Sequence, residues 1–95
     1  MASINVTDDA TLVASKPIGG ARRRFGVFQN RSEVDIAIGF TPQVTFGAGD
    51  YAGIIVEPDD SISFALLSGD LDSINFNLYA IAETEGPHAA RWIER

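Results

Sequence analysis

The stretch GAGDYA, residues 47–52, is the first place where the sequence suggests chemistry, because it fits the G-x-G-x-x-A form of a dinucleotide-binding fingerprint. That fingerprint holds a pyrophosphate only where the loop opens a helix, whose first amides face the anion. The residues that follow, YAGIIVEP, are instead rich in β-branched side chains and soon reach Pro58. We therefore expect a glycine-rich hairpin loop here, with no bound nucleotide.

Two pairs of aspartates, Asp59 with Asp60 and Asp70 with Asp72, are the next candidates. Paired carboxylates can divide acid and base roles when their environments differ, and clustered carboxylates can bind calcium. Both pairs fall in predicted turns, and the second lacks the glycine and the distal glutamate of a calcium loop. Solvated turn aspartates are the interpretation that we favour over a catalytic or metal site.

His88 is the only histidine of the chain, and there is no cysteine. A metal centre of the cupin type needs several histidines, and a histidine-activated nucleophile needs a third group to orient the base. The sequence therefore predicts a protein that is not an enzyme and has no cofactor. His88, beside Pro87, is expected in a loop or at the start of a strand.

The segment RRRFGVFQN, residues 22–30, holds three of the seven basic residues of a chain whose net charge is −6. If Phe25 and Val27 face the core, strand alternation leaves Phe28 on the outer face beside Arg22 and Arg24. Arginine and aromatic side chains are enriched at the centres of protein interfaces, which makes these three residues candidates for partner contacts. The alternative is a strand edge whose arginines pair with nearby carboxylates.

Alternation of apolar and polar residues recurs along the chain, interrupted by glycine, proline or aspartate, and this predicts a series of short strands. One parity of each strand should face a core. The expected core positions are Val34, Ile36, Ile38, Phe40, Val44, Phe46, Ile54, Val56, Ile62, Phe64 and Leu66.

In INFNLYAIA, residues 74–82, the apolar parity changes: Ile74, Phe76 and Leu78 alternate, and Tyr79 and Ile81 then continue on the other face. This change predicts a bulge near Leu78 or a strand buried on both faces, and hence a central strand. The terminal segments SINV, TLVAS and HAARWIER are interpreted as strands, with helix as the weaker alternative.

About eight short strands in 95 residues predict an all-β fold, a small antiparallel β-sandwich or jelly roll, because such packing buries one face of every strand. We expect one domain, in which residues 21–95 form the sandwich and residues 1–20 form an N-terminal arm or the first strands. A core this small without disulfides predicts a homo-oligomer, since association supplies the missing stability.

The acidic net charge argues against nucleic-acid binding, which draws its affinity from a basic face. No stretch approaches the roughly 20 apolar residues of a membrane span, and MASINVTDD lacks the features of a signal peptide. We therefore expect a cytosolic origin and no membrane partner.

In RRRFGVFQNRS an arginine leads a strand into an asparagine turn, and IAIGF, a glycine loop, AGIIVEPDDSISF and LYAIAETEG follow before a last strand. This order, over residues 21–94, resembles the small β-sandwich proteins of tailed-bacteriophage virions, particularly head decoration or cement proteins and related fibre-base modules. In that family a proline–glycine turn commonly precedes the S-I-x-F strand. Here Asp59 follows Pro58, so the type of turn is expected to differ.

The resemblance implies a structural virion protein, assembled in the host cytoplasm, that binds the capsid as a homotrimer and bridges neighbouring major capsid subunits. Arg22, Arg24 and Phe28 would then dock on acidic and apolar surface of the capsid protein or of the next subunit. Tail or fibre-attachment modules share such folds, so a place elsewhere in the particle is an alternative.

A lectin-like glycan-binding module is a further alternative. It would need exposed aromatic side chains, such as Tyr51 or Trp92, beside a carboxylate such as Asp50. Packing of these aromatic residues in the core or in a turn is the interpretation that we favour.

Overall fold

The computed structural model describes residues 2–15, 25–46, 49–65 and 76–94. Within these ranges the chain has no helix, so the weaker, helical alternative for the two ends is wrong. The strands, β1 to β8 in chain order, are Ala2–Val6, Thr11–Ala14, Phe25–Asn30, Ile36–Gly39, Ile54–Val56, Ser61–Ala65, Leu78–Ala82 and His88–Glu94.

The strands form two four-stranded sheets that pack face to face. Sheet A has the order β1-β8-β3-β6 and sheet B the order β2-β7-β4-β5. Antiparallel pairs join β1 to β8, β2 to β7, β3 to β6 and β4 to β5. This is the pairing of one long antiparallel ribbon rolled onto itself, which is the arrangement of an eight-stranded jelly roll. The predicted fold class is confirmed.

The core lies between the sheets and is made by one parity of each central strand. Phe28 and Trp92 come from sheet A, and Ile36, Ile38 and Leu78 from sheet B, all buried. Full burial of such a side chain contributes roughly 1.5–3 kcal/mol. These five side chains belong to one buried cluster that joins the two sheets.

The strand expected to be central, β7, lies between β2 and β4. The expected irregularity is found in its partner: Leu12 pairs with Tyr79 and Ala14 with Leu78, so Val13 is an extra residue in β2. The parity change in the sequence of β7 therefore coincides with a bulge across the sheet.

Most of the expected core positions are confirmed, but two of the residues near the β4–β5 connection are not. Phe40 is 49% exposed because it follows the last residue of β4, and Ile54 is 44% exposed because β5 is an edge strand. Leu66 and Ile74 lie outside the described residues. The remaining expected positions are buried or partly buried: Val34, Ile36, Ile38, Val44, Phe46, Val56, Ile62, Phe64, Phe76 and Leu78.

The β4–β5 connection folds back over the outer face of sheet B. Its segment QVTF forms no strand and has only an isolated bridge from Thr45 to Ala52. Val44 is buried over Gly39 and Gly53, where an added Cβ at either glycine would lie 2.7 Å from Val44 Cγ2. These two glycines therefore provide the space that Val44 fills.

The turn before β6 keeps the backbone conformation that a glycine would adopt. The Asp60 amide donates to the Glu57 carbonyl at 3.0 Å, and Asp59 has a φ of 61°. Aspartate tolerates this left-handed region better than most residues. Asp59 thus occupies a position of positive φ, which glycine would adopt without strain.

Candidate functional site

The structure reverses the two faces of β3. Phe28 is 0% exposed and pairs with Trp92 and Ile62, whereas Phe25 is 38% exposed. The position of Gly26 explains this orientation of β3. The Trp92 ring occupies the inward side of Gly26, where any added Cβ would collide with it. Gly26 and Phe28 therefore lie on the inner face of the strand.

The expectation that Phe28 lies on the outer face is therefore wrong. Its side chain is part of the core and is not available for a partner contact. Arg22 and Arg24 lie outside the described residues, and their contact with a partner stays a prediction.

The outer face of sheet A can be read from the strand register, since residues that pair across strands point to the same side. Its central row joins Ser3 to Arg91, Arg91 to Gln29 and Gln29 to Ser61. Arg91 is the one charged side chain among ten described outward positions, and each of the ten is exposed or partly exposed. These positions are Ser3, Asn5, Phe25, Val27, Gln29, Ser61, Ser63, Ala89, Arg91 and Ile93.

The outer face of sheet B has a different chemistry. Tyr79 pairs with Leu12 and with Gly39, and Ala37 pairs with Ile81 and with Ile55. All six described outward positions are thus apolar or aromatic, and Leu12 and Ile55 are 47% and 45% exposed. Ala37 is buried despite its outward parity.

The acidic residues are gathered at one end of the sandwich, formed by the connections 7–10, 31–35, 57–60 and 83–87. Backbone hydrogen bonds link two of these connections to strands of the sheets: Ala82 N of β7 donates to Thr7 O at 2.8 Å, and Asp59 N donates to Asn30 O of β3 at 2.9 Å. We call this region the acidic end. It contains nine of the thirteen acidic residues: Asp8, Asp9, Glu33, Asp35, Glu57, Asp59, Asp60, Glu83 and Glu85.

A buried amide fixes the centre of the acidic end. Asn30 Nδ2 donates to Val34 O at 2.7 Å and to Val56 O at 2.9 Å, while Asn30 Oδ1 accepts from the Ser32 amide at 2.9 Å. Asn30 is fully buried with both ends of its amide satisfied, so its role is structural.

Among the described residues, no group of three or more His, Cys, Asp or Glu side chains is placed so that it could hold a metal ion. Asp59 and Asp60 are exposed and lie in a turn, which confirms the interpretation of this pair as solvated turn residues. Asp70 and Asp72 lie outside the described residues.

A cleft with aromatic walls lies at the other end of the sandwich, beside the β4–β5 connection. Its volume is about 220 Å³, and Phe40, Thr41, Asp50 and Tyr51 are among the residues that line it. Tyr51 is 52% exposed, and its backbone carbonyl accepts from the Thr45 amide at 3.0 Å.

On one side of this cleft, the Phe40 ring packs against other aromatic side chains. The Phe40 ring packs on Phe76 with 4.7 Å between centroids, Phe76 on Phe64 at 5.2 Å, and Phe64 on Trp92 at 6.2 Å. A chain of aromatic contacts thus runs from the core to the cleft. It holds the exposed part of Phe40 in place.

Trp92 and His88 lie where the sequence predicts them. Trp92 is 3% exposed, with its Nε1 donating to Glu94 Oε1 at 2.6 Å, which confirms core packing over a glycan contact. His88 is the first residue of β8, as expected, and its Nε2 lies 3.1 Å from Thr84 Oγ1.

The glycine-rich loop is a connection between antiparallel strands, as expected. Gly47 and Ala48 lie outside the described residues, and Ala52 N donates to Gly49 O at 3.2 Å in a turn. The chain then enters β5, with Ile54 paired to Ile38. The described part of this loop opens a strand, whereas a dinucleotide fingerprint must open a helix.

Comparison of the chain with protein-family models, with curated proteins and with solved structures gives no match. In the described ranges, no helix has the length and apolar character needed to cross a membrane. The resemblance to phage virion proteins therefore stays a prediction.

Proposed function

We propose that the chain is a non-enzymatic structural subunit that binds an assembled protein shell through the outer face of sheet A. The observation that supports this most is the distribution of charge. Thirteen residues are acidic, yet the described outward positions of both sheets carry no carboxylate. Interface centres are depleted of acidic residues, whereas an ordinary solvated face of so acidic a protein would carry some.

The outer face of sheet B supports self-association of the subunit. Exposed apolar side chains on the face of a small domain can mark an interaction site, and Leu12 and Ile55, on the two edge strands, leave part of this face open to solvent in the protomer. Copies of a chain with a net charge of −6 repel each other, and this repulsion is weakest where the faces that meet carry no carboxylate. We assign this face to a small cyclic homo-oligomer, a trimer by the resemblance.

The resemblance to head decoration or cement proteins suggests which shell is bound. The partner is then the major capsid protein, the location is the virion, and neither nucleic acid nor membrane is contacted. Many copies on a symmetric shell bind with high avidity even when each contact is weak. Arg22 and Arg24 precede β3 in the sequence and remain predicted contacts with this partner.

Co-sedimentation with particles that lack the protein tests this function. Ser63→Glu adds a carboxylate to the exposed outer face of sheet A and should reduce the bound fraction. Gln43→Glu adds the same charge at an exposed position in the β4–β5 connection and is the matched control. Equal binding of the two variants, or no binding of the parent protein, would overturn the proposal.

The number of copies per particle distinguishes a subunit of the head from a subunit of the tail or fibre. Quantitative mass spectrometry of purified particles should find a copy number comparable to that of the major capsid protein. A number matching a tail or portal component would move the subunit to that part of the particle.

A second function, glycan binding, is favoured by one observation: the cleft presents Tyr51 and Phe40 beside Asp50. Aromatic faces pack on the CH faces of a sugar ring, and a carboxylate accepts hydrogen bonds from its hydroxyls. Because the wall is acidic, the sugar would be neutral. Screening against neutral oligosaccharides, with Tyr51→Ala as the inactive variant, tests this function, and a binding signal that survives Tyr51→Ala would exclude the cleft.

A further inference from the structure

Two arginines outside the segment 22–24 are brought together on sheet A. Arg31 follows β3, and its amide donates to Ala89 O at 3.0 Å, which places it opposite Ala89. Arg91 is two residues beyond Ala89 on the same face of β8 and pairs with Gln29. Arg31 and Arg91 are therefore diagonal neighbours, a relation that puts Cα atoms about 7–8 Å apart in an antiparallel pair.

A trough runs between these arginines. Its floor is Ala89, whose small side chain leaves room, and its far side is formed by β1, where Asn5 pairs with Ala89 and Ser3 with Arg91. The trough has a volume of about 320 Å³. The side chains around it supply guanidinium, amide and hydroxyl donors, and none of its described lining residues is acidic.

Neither guanidinium makes an ion pair with a carboxylate in the described part of the chain. Asp59 and Asp60 share with Arg31 a separate groove of about 190 Å³, on the β6 side of that residue. Two neighbouring cations repel each other, and an anion placed between them removes this repulsion and gains charge-assisted hydrogen bonds.

The charge of the whole molecule decides which anion fits. Arg31 is the first residue of the connection 31–35, which belongs to the acidic end, so a nucleic acid or another extended polyanion on Arg31 would also lie against the carboxylates of that end and be repelled. A single carboxylate needs only the trough, whose described lining residues include no acidic side chain, and its planar shape matches the fork of a guanidinium.

We infer that Arg31 and Arg91 form a carboxylate-binding site that takes an acidic side chain of the partner protein. This inference rests on the proposed function in one respect only, namely that the partner protein belongs to an assembled shell. Arg31 and Arg91 contact the carboxylate directly, while Ser3 and Asn5 supply further donors and Ala89 leaves the space.

The test uses the full chain, a capped peptide of alternating Glu and Gly as probe, and a second peptide in which every Glu is Gln. Titrations followed by amide and arginine-side-chain NMR should show weak binding of the Glu peptide, with shifts confined to the trough. Arg91→Gln and Arg31→Gln should each weaken binding about tenfold, because each removes one charge-assisted contact. Binding of the Gln peptide with equal strength would overturn the inference.

Two further variants separate the site from a general effect of charge. Ala89→Leu fills the trough without changing any charge and should abolish binding, whereas Gln43→Glu changes the net charge as Arg91→Gln does and should leave binding nearly unchanged. Ala89 and Gln43 are both exposed, so the fold should tolerate both changes, and the NMR spectra report it. Retained binding in Ala89→Leu would overturn the inference.

The experiment also distinguishes this site from the proposed function. Loss of peptide binding in Arg91→Gln, together with unchanged co-sedimentation with particles, would keep the function and overturn the role of the trough in it. Peptide binding by a protein that never binds particles would keep the site and overturn the function. Inorganic phosphate that displaces the peptide at low concentration would identify a general anion site and overturn the selectivity for carboxylates.

Discussion

The outer faces of the two sheets differ although their inner faces are alike. Both sheets pack apolar side chains inward. The described outward positions of sheet A carry serine, asparagine, glutamine and arginine together with four apolar residues, Phe25, Val27, Ala89 and Ile93, whereas those of sheet B carry leucine, isoleucine, alanine, glycine and tyrosine. Alternation defines the core in both cases. The outward residues determine what each sheet can bind: the polar side chains of sheet A can hydrogen-bond a partner, and sheet B offers mainly apolar surface.

Both faces differ in turn from the acidic end, where like charges lie close together. If an acidic chain is to associate with copies of itself or with a partner, its charge has to lie away from the interface. The turns of the jelly roll face solvent, so charged side chains there do not disturb the packing of the core.

The largest expected effect tests which residues of β3 face inward. Phe28→Ala removes a fully buried ring from the core and should lower the free energy of unfolding by roughly 3–5 kcal/mol. Val27→Ala, at the adjacent outward and partly exposed position, should cost well under half of that. Urea denaturation of both variants measures the difference, and a reversed order would show that the faces of β3 have been exchanged.

The sequence predicts the strands well because each one carries its own alternation, and it predicts β7 as central because both parities of that segment are apolar. It does not predict the faces of β3, since Phe25, Val27 and Phe28 offer apolar residues on both parities. The decision depends on Gly26 lying under Trp92, a contact between residues far apart in the chain.

The candidate surfaces depend on the same kind of information. Aspartates and glutamates in turns are visible in the sequence, but their gathering at one end follows from the rolled ribbon, which places four separate connections side by side. Arg31 and Arg91 are sixty positions apart and meet only through the pairing of β3 with β8. One part of this arrangement is visible in the sequence: the alternation of HAARWIE places Ala89 and Arg91 on one face of the strand and Trp92 on the other.

The second prediction concerns the covered part of sheet B. Val44 is buried over two glycines, so Val44→Ala should lower the free energy of unfolding by roughly 1.5–3 kcal/mol, from lost burial and the cavity left behind. Gln43→Ala, an exposed neighbour, should change it by less than about 0.5 kcal/mol. Thermal denaturation of the pair measures this, and equal melting temperatures would mean that the connection contributes no packing.

The third prediction concerns the open part of sheet B. Leu12→Glu puts a charge on the face assigned to self-association and should raise the dissociation constant of the oligomer by at least about tenfold, equivalent to 1.4 kcal/mol. Ser63→Glu puts the same charge on sheet A and should leave the oligomer intact. Light scattering over a concentration series reports both, with circular dichroism as the check on folding. A parent protein that stays monomeric at high concentration would contradict the assignment.

The smallest expected effect compares the acidic end with the opposite end. Asp8→Asn removes one of the nine carboxylates at the acidic end, so reduced repulsion should raise the free energy of unfolding by roughly 0.2–0.5 kcal/mol at low salt. Asp50→Asn removes an exposed carboxylate near the aromatic cleft, outside the acidic end, and should have a smaller effect. Because the Debye length falls to about 3 Å in 1 M salt, the difference between the two variants should vanish there. Denaturation curves at both salt concentrations measure it, and a stabilisation that survives high salt would have to come from a local contact of Asp8 instead of from the collected charge of the acidic end.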